Sequence, residues 1–446
     1  MDDQKRVADG LGSLSGSKLD RGRFLGVAAG VVGTAAGFGR FVTSAGAAKT
    51  AVALRKQKPI LVGGAYPLSG VFAPDGEQMK DGPQLAIDLL NASGGVNGQQ
   101  LQLVAVDTDI FTPQGVTTAL NNLVSKQVDA VLCGFFISQP PAWNVLPPYG
   151  APYLNGNATF DSTKITASDP SKYSMMFQTI PSDIYYGPAL PMALNYLASK
   201  GGWKPANHSV FIIEGAAPFE QITTQHYITS FGQGKTWTVG HVEKIPQSIQ
   251  DWGSVLGKIQ QMKPGVIVVT HTAVPDVAAL MKQFAASPTD SLVFIQVAPG
   301  VPEFRQLTGT AGDGVLWSTL AAQIPGKAGQ EFATEYQKQF KQPAGLGYAA
   351  IDYDHISILA AAWKAVGDTR NFKAVNSYIK KTRFQGLCGG YDLNNKYQAG
   401  LAFPIQTTDA KRGNPTQFFQ IQNAQQKVVW PQPFNNASYV KPSWVK

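Results

Sequence analysis

Residues 60 to 98 constrain the fold more than any other stretch of the chain. Ile60 to Ala65 is a short apolar run that stops at Pro67. A polar, glycine-containing loop follows, Leu68-Ser69-Gly70-Val71-Phe72-Ala73-Pro74-Asp75-Gly76. Leu85, Leu89 and Ala92 then recur at helical spacing until Gly94-Gly95 ends the pattern. A buried strand, a loop and an amphipathic helix closed by glycine make one βα unit. Such a unit needs a parallel neighbour to bury its strand.

That neighbour is repeated. Strand-like runs at Leu101 to Val106, Asp129 to Cys133 and Pro152 to Leu154 alternate with helical stretches near 76–92, 113–126 and 139–147. The rhythm pauses around Phe177 to Pro181 and resumes with a helix from about Tyr185 to Ser199. A second set of strands is expected at Val210 to Ile213, Trp237 to Val242, Val266 to Thr270 and Leu292 to Val297, with helices near 219–231, 251–262 and 274–286. Alternation of this kind predicts α/β architecture, with parallel sheets covered by helices on both faces. Val315 to Ser318 reads as a return crossing before helices near 328–340, 346–366 and 371–381. Gln417 to Gln422 and Lys427 to Trp430 read as a hairpin.

The wording of the first unit, with Ser69-Gly70 before a helix that ends Asn91-Ala92-Ser93-Gly94-Gly95-Val96-Asn97-Gly98, resembles the leucine/isoleucine/valine-binding protein family. These are type I solute-binding proteins that feed ABC importers. The resemblance implies two similar lobes, each a three-layer α/β/α sandwich, joined by a three-strand hinge. It implies an N-terminal lobe of 59–180 plus 321–386, a C-terminal lobe of 181–320 plus 387–430, and a surface tail at 431–446. It also implies capture of a small carboxylate, amide or branched-chain-amino-acid-like ligand without reaction, and docking of a monomer on a membrane permease. A ligand-sensing receptor component on the same fold is the alternative.

Ligands of open parallel sheets sit beyond the carboxyl ends of strands. Ser138, in Gly134-Phe135-Phe136-Ile137-Ser138-Gln139, either caps a helix or donates to a bound oxygen. By resemblance it holds the ligand carboxylate. Asn157, Ala158 and Thr159 match the family segment that offers backbone groups and a hydroxyl. Phe219 matches an aromatic that packs on the ligand, His271 shapes the pocket, and Tyr353 supplies an aromatic from a helix entry. Asp75 is either a turn residue or a carboxylate facing a positive group. The family's amino-acid binders place a Glu where this chain has Pro299, so a ligand ammonium would need Asp75, Glu214 or Asp276 instead.

Residues 24–39 are uncharged, follow Lys18, Arg21 and Arg23, and lead to Ala45-Gly46-Ala47. That is the pattern of a signal peptide, assigned here to 1–48, with cleavage after Ala47 and Ala53 as a second site. Arg21-Gly22-Arg23-Phe24-Leu25 resembles the twin-arginine export motif, although Gly22 splits the arginines. The expected location is therefore extracytoplasmic or periplasmic. Net charge is +8 with the lysines scattered, which argues against nucleic acid as a partner. Five histidines without His-Glu-x-x-His spacing and only two cysteines, Cys133 and Cys388, offer no metal site, and no cofactor motif is present. Asp352, Asp354 and His355 lie close in sequence but read as capping or solvated groups. The two thiols either pair in an oxidising compartment or stay buried and free. No enzyme motif emerges.

Overall fold

The computed structural model describes residues 58–246 and 248–445. The signal peptide expected at 1–48, both cleavage sites and the arginine motif lie outside the described residues.

The first sheet is built from β1 (Ile60–Tyr66), β2 (Leu101–Asp107), β3 (Ala130–Cys133), β4 (Tyr153–Asn155) and β5 (Met176–Gln178), in the order β2-β1-β3-β4-β5. All its pairings are parallel. Between the strands run α1 (Ala73–Ala92), α2 (Pro113–Ser125), α3 (Pro140–Val145) and α4 (Phe160–Ser168). β3 is buried along its whole length, as a strand covered on both faces must be.

The second half repeats the winding. It comprises α5 (Tyr186–Ser199), β6 (Ser209–Glu214), α6 (Pro218–Gln233), β7 (Thr238–Lys244), α7 (Gly253–Met262), β8 (Val266–Val269), α8 (Val274–Ala286), β9 (Leu292–Gln296), α9 (Pro302–Thr308) and β10 (Leu316–Thr319). Its parallel strands follow the order β7-β6-β8-β9-β10, the same pattern as the first sheet. The chain then returns through α10 (Lys327–Phe340), α11 (Tyr348–Val366) and α12 (Phe372–Lys381). It continues through the pair β11 (Arg383–Gly386) and β12 (Gly389–Asp392) and the pair β13 (Leu401–Phe403) and β14 (Gly413–Pro415). Finally β15 (Gln417–Gln422) adds antiparallel to β10, and β16 (Gln425–Trp430) forms the edge.

The two lobes have separate cores. Tyr66, Leu132, Leu154 and Phe177 pack with Ile351, Leu359 and Trp363 of α11 on one face of the first sheet, and Trp143, Tyr153 and Leu120 cover the other. Leu190, Tyr227, Phe294 and Trp430 form one core of the second sheet, and Trp252, Ile267, Met281 and Phe304 the opposite one. Leu320 belongs to the second lobe's core and Ala321 to the first. Leu387, Cys388, Tyr391 and Leu393 also pack in the first lobe's core. The return to the second lobe, expected at 387, therefore comes after Leu393.

The sequence missed four features. The pause near Phe177 is the edge strand β5, too short to show a period. Helices α4 and α9 are short, and the β11–β14 strands run only three or four residues each. Residues 431–445 lie along the second lobe, where Trp444 Nε1 donates to the Ser291 carbonyl at 3.0 Å and Gln420 Nε2 donates to the Val440 carbonyl at 2.6 Å. Cys133 and Cys388 are both buried and free, in different cores, and burial pushes both thiols up.

Candidate ligand cleft between the lobes

In each sheet the winding reverses between the first strand and the third, β1 and β3 in one lobe, β6 and β8 in the other. The loops leaving these strands diverge and open a crevice. In the first lobe they are 67–72 and 134–139. Gly76 lets the first turn of α1 close onto the former, since a Cβ there would overlap the carbonyl oxygen of Pro67. Asp75 is thereby fixed in that first turn.

Aromatic rings line this corner. Phe72 lies 5.4 Å from Phe135 and 5.7 Å from Phe111, and Phe135 lies 5.4 Å from Tyr348 at the start of α11. Asp75 is half-buried beside them, and withdrawal from water lifts its pKa to about 6. The Tyr348 hydroxyl is raised well above its ordinary value by burial, with the charges of Asp75 and of Tyr186 adding to the effect. Tyr186 belongs to the core of the second lobe, so its influence reaches Tyr348 across the lobe boundary. Burial pushes Tyr186 up to about 12, against its hydrogen bond to Thr319. Its ring meets Phe219 edge-on at 6.2 Å.

Ser138 is half-buried, and its N–H donates to the Ile110 carbonyl at 2.8 Å. Gln139, not Ser138, occupies the cap position of α3. Asn157 is buried and ties two loops together, its side-chain oxygen accepting from the Phe136 N–H at 2.8 Å. Ala158 packs against the cores of both lobes. The Thr159 hydroxyl accepts from Gln139 Nε2 at 2.6 Å. Asp183, which sequence reasoning passed over, accepts from the Phe160 N–H at 3.2 Å, and burial lifts it to about 6.

Two expected residues are placed elsewhere. Tyr353 packs against Phe332 of α10, 5.2 Å between centroids, on the side of α11 away from Phe135. Tyr348 is the residue of that helix that joins the cleft aromatics. His271 is fully buried between two carboxylates, with Nδ1 3.3 Å from Glu220 and Nε2 3.0 Å from Asp276. Burial alone would lower the His271 pKa, but the two acids outweigh it and leave it raised. Burial likewise opposes Glu220, whose pKa is nonetheless lowered by His271, Ala217 and Thr272. The His271 ring bridges loops 215–220 and 271–276. Pro299 is buried in the turn after β9, so no acid replaces it there.

Asp352, Asp354 and His355, expected to be capping or solvated, are instead fully buried, because the partners of Asp354 and His355 come from segments distant in sequence. Asp354 accepts from the Leu387 and Cys388 N–H groups at 2.8 and 3.0 Å and from the Tyr391 hydroxyl at 2.6 Å. His355 Nε2 lies 2.7 Å from Thr179 Oγ1 on the first crossing between lobes. Its Nδ1 approaches Asp352 to 2.7 Å, off the direction of a good hydrogen bond.

Residues 59–413 match the family model described as periplasmic binding protein. The chain belongs to that family. Among curated relatives of this periplasmic binding protein, the leucine-, isoleucine-, valine-, threonine- and alanine-binding protein of Pseudomonas aeruginosa is 23% identical over 337 residues, covering 74% of this chain and 85% of the relative. A Leu/Ile/Val-binding protein homolog of Brucella abortus is 25% identical over 357 residues, covering 77% and 88%. A solved structure from Silicibacter pomeroyi, described as a putative branched-chain amino acid ABC transporter, superposes with a TM-score of 0.82 at 26% identity, covering 87% of this chain and all of that one.

Proposed function

We propose that this periplasmic binding protein is the exported substrate-binding component of an ABC importer, and that it captures a small carboxylate, amide or branched-chain-amino-acid-like ligand between its lobes. The observation that carries this reading is the pairing of two like sheets whose switch-point loops lie at the boundary where Ala158 packs against both cores. Side chains from both lobes converge there, so closure would bury a small molecule that neither lobe encloses alone. Ser138, Ala158, Thr159, Asp75 and Phe219 are its candidate contacts, with Tyr348 in place of Tyr353. The half-buried Ser138 hydroxyl, which takes part in no hydrogen bond among the described residues, is suited to a ligand oxygen.

The lobes in this reading are 59–180 with 321–415 and 181–320 with 417–430. A monomer in its closed form would present both lobes to a membrane permease. Thermal denaturation of the full chain against amino acids, short amides and small carboxylates tests the proposal. A ligand at 100 times its Kd adds about 2.7 kcal/mol, which moves the midpoint measurably. No shift with any small molecule, including those in a cell extract, would count against it.

A further inference from the structure

The loops that face the cleft carry charge of one sign. Residues 67–76, 134–139, 156–160, 183–187, 214–220, 270–274, 296–300 and 345–348 contain no Lys or Arg, and they carry Asp75, Asp183, Glu214 and Glu220. Three of these acids are already answered within the protein. Asp183 accepts from the Phe160 N–H, Glu214 pairs with Lys244 at 3.3 Å, and Glu220 pairs with His271. Asp276, the other candidate from the second lobe, is held by His271, by the Ile249 N–H and by Gln250.

Asp75 differs. Among the described residues its half-buried carboxylate has no ion-pair partner and no hydrogen-bond donor from another residue. A carboxylate withdrawn from water without a counter-charge is costly, and pairing with a cation offsets that cost. The walls around it are aromatic, and ring faces attract cations.

The donors that an anionic end group would need are largely spent. The N–H groups of Ile137 and Ser138 both donate to the Ile110 carbonyl, that of Phe136 donates to Asn157, and that of Phe160 to Asp183. The Ser138 hydroxyl is left for the polar end of a ligand.

We propose that Asp75, in the first turn of α1 beside the ring cluster of Phe72, Phe135 and Tyr348, binds a cationic nitrogen of the ligand, an organic ammonium on an apolar body. This assignment rests on the solute-binding reading and narrows its ligand class. The positive group is gripped from the first lobe, at the start of α1, rather than by a carboxylate of the second.

Calorimetric titration of the full chain with three matched probes tests it: 3-methylbutylamine, leucine and 4-methylpentanoate. The amine and the zwitterion should bind and the nitrogen-free acid should not. Asp75→Asn should weaken both nitrogen probes by about tenfold or more, and Asp75→Glu should recover part of the loss. Equal binding of the acid, or an Asp75→Asn variant that keeps the affinity for the amine, overturns the assignment. Should none of the three bind, fractions of a small-molecule extract decide. Stabilisation by the fraction retained on a cation exchanger supports the site, and stabilisation only by the anionic or neutral fraction overturns it. Stabilisation by no fraction overturns the solute-binding reading itself.

Discussion

Gln417 donates from Nε2 to the carbonyl of Ala322 at 2.7 Å, and so ties the third crossing between the lobes to the second. Both residues are fully buried. Replacing Gln417 with Ala leaves a carbonyl without its donor inside the hinge, which costs about 1–3 kcal/mol. Urea denaturation should show a lower midpoint with an unchanged slope. Gln417→Glu, which cannot donate when ionised, should lose at least as much. A variant as stable as the parent would mean that the crossings are held independently.

His271 holds two buried acids at once. Its removal takes one partner from each of Glu220 and Asp276, which keep their backbone and side-chain donors, and leaving buried polar groups short of a partner costs about 1–3 kcal/mol. His271→Ala should therefore lower Tm and reduce the yield of folded protein. Because the ring is fully buried, the molecules that do fold should bind ligand with nearly the parental affinity. A large loss of affinity without a loss of stability would place His271 at the ligand instead.

Burial lifts Asp75 and Asp183 from an ordinary 3.8 to about 6. Between those values the folded chain holds protons that the unfolded chain has released, so unfolding is disfavoured as the pH falls. The ligand-free protein should gain stability from pH 6.5 down to about pH 4.5. Asp352 and Asp354, raised by burial as well, act in the same sense. His226, lowered by burial, opposes the trend from its ordinary 6.5 downward, and Glu220 and Glu243, also lowered, only below their ordinary 4.5, so the raised aspartates set the sign. Scanning Tm against pH for the parent and for Asp75→Asn should give a shallower slope in the variant. Identical slopes would show that Asp75 is ionised alike in both states.

α1 packs tightly on α11 at Gly82, where an added Cβ would overlap the carbonyl oxygen of Ala349. Gly82→Ala has to push the helices apart. Overpacking of this kind costs about 1–3 kcal/mol. Since Tyr348 begins α11, the shift should also reach the cleft. Denaturation and ligand titration together check this, and parental values in both would show that the helices separate freely.

Long βα units were legible because their periods persist over many residues. The strands at Ile60, Leu101, Val210 and Val266 and the three helices between 327 and 381 all follow from hydrophobic spacing. Strand β5 and the β11–β14 pairs do not, since three or four residues hold too little pattern to separate a strand from a loop. The site was legible by position more than by role. Switch-point loops named Asp75, Ser138 and Phe219, but choosing between Tyr348 and Tyr353 needs the azimuth of α11, and five residues turn a helix by about 140° beyond a full revolution. His271 looked exposed to a ligand because its two acids, at 220 and 276, belong to separate loops. Tyr186 was hidden because the pattern there marks only a helix start.

The separation of α11 from the sheet it covers orders events in time. When residues 60–180 have left the ribosome, the first sheet is complete in sequence, yet Ile351, Leu359 and Trp363 have not been made. One side of β1, β3 and β4 is then covered by α1 alone, and the missing helix follows only after the whole second set of strands. The newborn chain thus stays short of a finished first lobe until near the end of its synthesis.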